Sequence, residues 1–268
     1  MQPTVQADPQ SEAARRTVVY EQPLNERMRA FLRLEFLWNQ AQFHASSPSP
    51  WSSRSAVGSL LEILAITSRG DSRGDVLKEL ERQMGVLKDF QNRPGVDGAR
   101  LRAVLATLVR RREELNSSGG QFLQPLRDSE FLNAVKHRSA IPGGTCEFDL
   151  PDYTHWLNRP AEQRERDLEQ WLGRIRALCE SISELLWVTR ENARPRNETA
   201  QGGSYQIVFE REHPAQLLRI ELPGNSELFP EVSGSHYRCS IRFMRWSSVM
   251  ARPVQPQEDL PFVLTICH

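Results

Sequence analysis

The sequence predicts an α+β fold: a helical domain of several antiparallel helices plus an antiparallel β-sheet domain built mainly from the C-terminal strands. Two periodicities carry this reading. Between about residues 23 and 190 apolar side chains recur at spacings of three and four, as on one face of a helix, whereas beyond about residue 204 they alternate with polar ones. The third observation is the order. Two isolated strand-like runs stand among the helices, so the pattern is strand, helices, strand, helix, then strands, and not a repeating βαβ unit.

Residues 1 to 15 are polar and aperiodic and are expected to form a disordered tail. Thr17 to Glu21 reads as a strand. Asn25 then suits the N-cap of a helix, with Glu26 at its positive end and Met28, Phe31, Leu32, Leu34, Phe36, Leu37 and Trp38 along a wide apolar face. His44 to Arg54, rich in serine and proline, reads as a loop. Three more helices follow on Val57–Leu64, Val76–Leu87 and Leu101–Leu108, the last capped by Asp97. Phe122 to Arg138 is expected to be mostly helical, with Pro125 as a point of interruption. Pro142-Gly143-Gly144 breaks the helix, and Cys146, Phe148 and Leu150 alternate with Glu147 and Asp149 as in a half-buried strand.

From Pro160 the longest helix runs on Leu168, Trp171, Leu172, Ile175, Leu178, Ile182, Leu185 and Leu186, followed by a linker from Asn192 to Gly203. Strands are expected at Tyr205–Glu210, Leu218–Leu222, Tyr237–Phe243 and Leu260–Ile266. A lone strand must pair to satisfy its backbone, so the two early strands are expected to join the C-terminal sheet. The expected domains are a tail at 1–15, a helical domain at 23–143 and 152–197, and a β domain at 16–22, 144–151 and 198–268.

Composition narrows the function. With 34 basic and 34 acidic residues the formal charge is zero, which argues against nucleic acid as the partner. The arginines at 100, 102 and 110–112 are followed by Glu113-Glu114 and read as a solvated helix face. Four scattered cysteines without a Cys-x-x-Cys pair suit a reduced, cytoplasmic protein. The first residues lack the pattern of a secretion signal, and no run reaches the roughly 20 apolar residues a membrane span requires. No membrane insertion is therefore expected.

No phosphate loop, dinucleotide fingerprint, nucleophile elbow or His-Glu-x-x-His occurs. Neither a cofactor nor a metal site is expected. A zinc site on Cys146 and His155, or a dispersed active site around Cys146, Asp149 and His155, are the alternatives, against which Asp149 reads as a turn residue and Cys146 as core. Arginine pairs are more suggestive. Arg29 and Arg33 share one side of a helix, Arg238 and Arg242 share the polar face of a strand, and Arg138 precedes the glycine turn. Each is a solvated charge, a salt bridge or part of a basic groove for an acidic or amphipathic peptide.

Several ordered segments carry a resemblance. They are Tyr20 to Glu26 with Met28-Arg29, Leu32 to Leu37, Leu77 to Gln83, Pro94 to Asp97, Gly120 to Leu123, Ile141 to Pro151, Trp156-Leu157, Leu228 to Gly234 and Ile241 to Met244. In order and spacing, over roughly residues 17 to 267, the chain resembles the ZapD family of bacterial cell division proteins. The resemblance implies a two-part fold, a homodimer without enzymatic activity or cofactor, and binding to the C-terminal tail of the tubulin-like protein FtsZ. It implies bundling of FtsZ filaments at the midcell division ring. It further implies a basic groove for the tail, which carries over to Arg29, Arg33 and Arg242 in matching motifs, and to Arg127, Arg138, His155 and Arg238. Thr154 stands where the family pattern has a histidine, next to His155.

Overall fold

A computed structural model describes residues 17–91, 94–210, 214–234 and 237–268; the expected tail at 1–15 lies outside the described residues. The chain divides into two compact units. One holds residues 1–29 and 188–268, the other residues 30–187.

The first unit is a β-sandwich. Strands β1 (Thr17–Pro23), β2 (Arg196–Ala200), β4 (Leu217–Pro223) and β7 (Leu260–Cys267) form a four-stranded sheet in the order β1-β4-β7-β2. Strands β3 (Ser204–Val208), β5 (Leu228–Gly234) and β6 (Arg238–Arg245) form a second, in the order β3-β6-β5. All pairings are antiparallel. Alternation along the strands sends Leu218, Ile220, Leu222, Phe262 and Leu264 of one sheet and Ile207, Cys239, Ile241 and Phe243 of the other into a single core. Phe262 meets Tyr205 edge-on with ring centroids 5.3 Å apart and tilts against Phe243 at 4.9 Å.

The expected strands at 17–21, 205–210, 218–222, 237–243 and 260–266 are present within a residue or two at most ends. Two others escaped the alternation rule. β2 lies where a linker is expected, because Arg196 to Thr199 are polar and the strand sits at a sheet edge, where only Ala200 is buried. β5 carries Pro230, which an edge strand tolerates since one row of its backbone groups stays unpaired. Gly234 ends β5 at φ 151°, and a Cβ there would lie 2.3 Å from the Arg238 carbonyl, so the position admits only glycine.

The outer face of the larger sheet holds a charged centre. Glu21 of β1 accepts two 2.8 Å hydrogen bonds from Arg190 and one of 3.0 Å from Arg219 of β4. All three side chains are about four-fifths buried, a position in which charge-assisted bonds are worth more than at an open surface.

The second unit is helical. Its helices are α1 (Glu26–Ala45), α2 (Pro50–Thr67), α3 (Ser72–Asp89), α4 (Gly98–Ser117), α5 (Gln124–Arg127), α6 (Glu130–Ser139), α7 (Pro151–Leu157) and α8 (Ala161–Glu191). α1 begins, and α8 ends, within residues assigned to the β unit. The caps at Asn25 and Asp97 follow the sequence signals, and Asp71 adds a third. Asn25 Oδ1 accepts from Met28 N at 2.8 Å, Asp71 from Gly74 N, and Asp97 from Ala99 N and Arg100 N. Leu168, Leu172, Ile175, Leu178, Cys179, Ile182, Leu185 and Leu186 make the buried stripe of the 31-residue α8. Arg164, only 4% exposed, is satisfied by Ser53 Oγ at 3.0 Å and by the carbonyls of Pro48 and Arg159.

Three expectations are corrected. His44 to Arg54 is not one loop: α1 runs to Ala45 and α2 starts at Pro50, a residue suited to the first helical turn because it lacks the N–H left unpaired there. The helix expected over 122–138 breaks at Asp128-Ser129, where Ser129 caps α6. Most consequential, residues 144–151 do not form a strand of the β domain. Cys146 N bonds the Gly143 carbonyl, and Asp149 N and Leu150 N bond the Cys146 carbonyl, so the segment spends its donors on its own turns. Leu150 is buried but Phe148 is 86% exposed, which removes the apolar face that the alternation suggested.

The glycine pair has a local cause. Ile141 N and Gly144 N bond the Arg138 and Ile141 carbonyls in tight succession after α6. Gly143 has φ 69°, and a Cβ on Gly144 would lie 2.4 Å from the Arg138 carbonyl. Gly144→Ala is expected to destabilise the protein by about 2 kcal/mol in urea unfolding, through the clash of its Cβ with the Arg138 carbonyl. Glu21→Gln is expected to cost about 2 kcal/mol by leaving two largely buried guanidinium groups facing a neutral amide.

Candidate functional site

The basic residues singled out by sequence fall into both units. In the β unit, β6 alternates so that Cys239, Ile241 and Phe243 point to the core and Arg238, Ser240 and Arg242 point out. Across the sheet Arg242 stands opposite Ser204 of β3 and Glu231 of β5, and Arg238 opposite Val208. The outer face therefore carries two exposed arginines about 13 Å apart along one strand, with small polar neighbours between them. Arg242 donates to Glu231 at 3.0 Å. Arg29, in the first turns of α1, donates to Glu26 at 3.3 Å.

In the helical unit Arg33 is exposed one turn further along α1. His155 is exposed on α7. Arg138, in the last turn of α6, lies 3.6 Å from Asp149. Arg127 has a structural partner: its guanidinium donates to the Thr67 carbonyl at 3.2 Å, closing the C-terminal end of α2. Together with Thr67, Asp71, Arg73, Gln121 and Phe122 it lines a cavity of about 200 Å³. The outer β face thus carries both Arg238 and Arg242, the latter paired with Glu231, and in the helical unit Arg138 and Arg127 are tied to Asp149 and the Thr67 carbonyl.

The Cys146, Asp149 and His155 set does not assemble into a relay. Cys146 Sγ approaches Asp149 Oδ2 at 3.4 Å, but Asp149 is shared with Arg138, and among the described residues no hydrogen bond or ion pair joins His155 to either. Among the described residues no group of three or more His, Cys, Asp or Glu side chains is placed to hold a metal ion. No helix among them is long and apolar enough to cross a membrane.

One further cluster was hidden from the sequence reading by the loop expected at 44–54. On α2, Trp51 and Arg54 are neighbours one turn apart. The Arg54 guanidinium lies over the Tyr153 ring at 4.8 Å and the Trp51 ring at 5.6 Å, and donates to the Thr145 carbonyl at 2.8 Å and hydroxyl at 3.0 Å. Tyr153 belongs to an aromatic group with Phe131, Trp156 and Trp171. Burial pushes its phenol up to about 12, with Arg54 acting in the opposite direction, so it stays neutral throughout the physiological range.

Burial also raises the thiols of Cys179 and Cys239, and takes Cys267 up to about 11. Only Cys146 among the four free cysteines is partly exposed. A thiol-reactive chromophore is expected to label Cys146 alone in the native protein at pH 8, and all four after unfolding in urea.

Comparison with known proteins agrees with the segments on which the resemblance rests. A family model described as ZapD, Cell division protein, matches residues 32–242. The Cell division protein ZapD of Methylococcus capsulatus is 40% identical over 250 residues, covering 93% of this chain and 98% of that protein. The Cell division protein ZapD of Aromatoleum aromaticum is 37% identical over 254 residues, covering 95% and 98%. That of an Azoarcus species is 36% identical over 250 residues, covering 93% and 99%.

Proposed function

This chain belongs to the ZapD family of cell division proteins, and from that membership we propose that it binds the C-terminal tail of FtsZ and, as a homodimer, crosslinks FtsZ filaments. The observation that carries the reading is the outer face of the three-stranded sheet, where Arg238 and Arg242 stand exposed on one strand. A flexible tail that carries carboxylates suits such a face. It meets guanidinium groups that form paired hydrogen bonds, and it needs no deep cleft. Family membership adds Arg29, Arg33, Arg127, Arg138 and His155 as further residues for the tail, with Arg127 also closing the end of a helix.

A dimer gives the activity its physical basis. Two tail sites on one body hold two filaments, and the second contact forms at a high effective concentration, so weak single sites suffice for bundling. No catalytic step is required, and the protein works in the cytoplasm, concentrated at the midcell division ring.

Co-sedimentation with FtsZ polymers tests the reading. Wild-type protein is expected to pellet with intact FtsZ and to stay in the supernatant when the tail is deleted; equal pelleting in both cases refutes tail binding. Arg242→Glu and Arg33→Glu are each expected to weaken tail binding at least tenfold with an unchanged thermal transition. The wild-type affinity is expected to fall as salt rises from 50 to 300 mM, since the guanidinium groups involved are solvent-exposed.

A further inference from the structure

The outer face of the three-stranded sheet changes character along its length. On β6 the outward positions run from Arg238 through Ser240 and Arg242 to Met244. Glu231 of β5 stands opposite Arg242, and Phe229 opposite Met244. β3 begins at Ser204, opposite Arg242, and the two residues before it are Gly202 and Gly203, so no β3 side chain flanks Met244. Phe229 and Met244 are accordingly only half-buried, although both lie within paired strands.

Trp246 carries the alternation one step past the strand. Its backbone N–H donates to the Glu227 carbonyl at 2.9 Å, which keeps it in the phase of Arg242 and Met244. Its indole N–H donates to the Ser248 carbonyl, so the polar edge of the ring is satisfied while 51% of the residue stays exposed. A single exposed apolar side chain is ordinary on a protein surface. Phe229, Met244 and Trp246 instead occupy successive positions, in register with two arginines on the same strand.

The charges along this face run in one direction. Arg238 and Arg242 occupy one end, and Glu227, exposed and paired with Trp246, marks the other. The ion pair between Arg242 and Glu231 is open to solvent, and such a pair is exchanged for another carboxylate at little cost. A carboxylate is thus drawn to the arginine end and repelled from the other, where an apolar side chain finds a dry surface. At about 3.3 Å per residue, Met244 stands about 7 Å and Trp246 about 13 Å from Arg242 along the strand. An extended peptide laid on the face spans that distance in about two to four residues.

We infer that Phe229, Met244 and Trp246 form a specificity-determining platform on this face. It takes an apolar side chain two to four residues from an acidic one that meets Arg242. The inference rests on the tail-binding reading above and adds a selection to it. Exposed arginines alone accept any acidic chain, whereas the platform favours a chain whose acidic and apolar residues stand at this spacing.

Fluorescence anisotropy of a labelled FtsZ tail peptide with the full chain tests the platform. Trp246→Ser is expected to weaken binding about three- to tenfold with an unchanged thermal transition. Its salt dependence is expected to match wild type, because no charge is lost, whereas Arg242→Glu lowers both affinity and salt dependence. A tail peptide with its large apolar residues replaced by serine is expected to bind wild type weakly and to lose little more on Trp246→Ser, since both changes remove one contact. Affinities of Trp246→Ser and Met244→Gln within twofold of wild type overturn the platform and leave tail binding intact. Losses from the protein and peptide changes that multiply independently overturn it in the same way. No binding by wild type overturns tail binding and this inference with it. A shift from dimer to monomer for Trp246→Ser in sedimentation equilibrium assigns the surface to a second copy of the chain and also overturns the proposal.

Discussion

The pairing of β1 with β4 is the constraint on which the β unit depends. Residues 17–23 and 217–223 meet over their full length, though most of the chain lies between them. Closing so long a loop carries an entropic penalty that grows only with the logarithm of its length, so the partners must be specified well but need not be near in sequence. Specification comes from both faces of the pair. Val18, Tyr20 and Gln22 stand opposite Leu222, Ile220 and Leu218 on the inner face, and Glu21 meets Arg219 and Arg190 on the outer one. A shift of one residue moves Glu21 toward the apolar layer and separates it from both guanidinium groups, so the charged trio acts as a register lock. Arg190 extends the lock to the last turn of α8.

The helical unit is an insertion between the first strand of the sandwich and the rest. It relies on a different economy, in which arginine side chains close backbone carbonyls at the ends of helices. Arg164 closes carbonyls at Pro48 and Arg159, Arg127 closes one at Thr67, and Arg73 those at Leu115 and Asn116. Arginine serves here as a bridge between helix ends, since one fork reaches several orphan carbonyls at once. A basic residue in a family motif is therefore ambiguous by chemistry alone, because the donors that bind an acidic partner also bind the ends of helices. Arg238 and Arg242 differ from Arg127 in this respect: they stand on a strand whose backbone is already paired on both sides.

Long-period features were legible in the sequence. The eight-turn stripe of α8, the Asn25 and Asp97 caps, and the alternating cores of β4, β6 and β7 follow directly from side-chain spacing. Segments governed by their surroundings were not. β2 and β5 are edge strands, and an edge strand needs neither an apolar face nor freedom from proline. Residues 144–150 alternate like a strand, yet the glycine pair forces consecutive turns that use up their N–H groups locally. The pattern of Cys146, Phe148 and Leu150 reflects separate demands: a thiol beside Asp149, an exposed ring and a residue buried at the start of α7.

The same segment shows why part of the candidate site was illegible. Thr145 matters because its carbonyl and hydroxyl fix Arg54, and Glu147 because it borders a cavity that Arg54 also lines, relations across roughly 90 residues that no local spacing encodes. Trp51 and Arg54 looked like loop residues because Ser46 to Ser53 is rich in serine and proline, although Pro50 opens a helix as readily as it ends one. Once α2 is recognised, their spacing of three places them on one face, and α7 with Glu147 before it supplies the opposite wall. The glycine turn sets Thr145 against Arg54, and two hydrogen bonds to its carbonyl and hydroxyl fix the guanidinium.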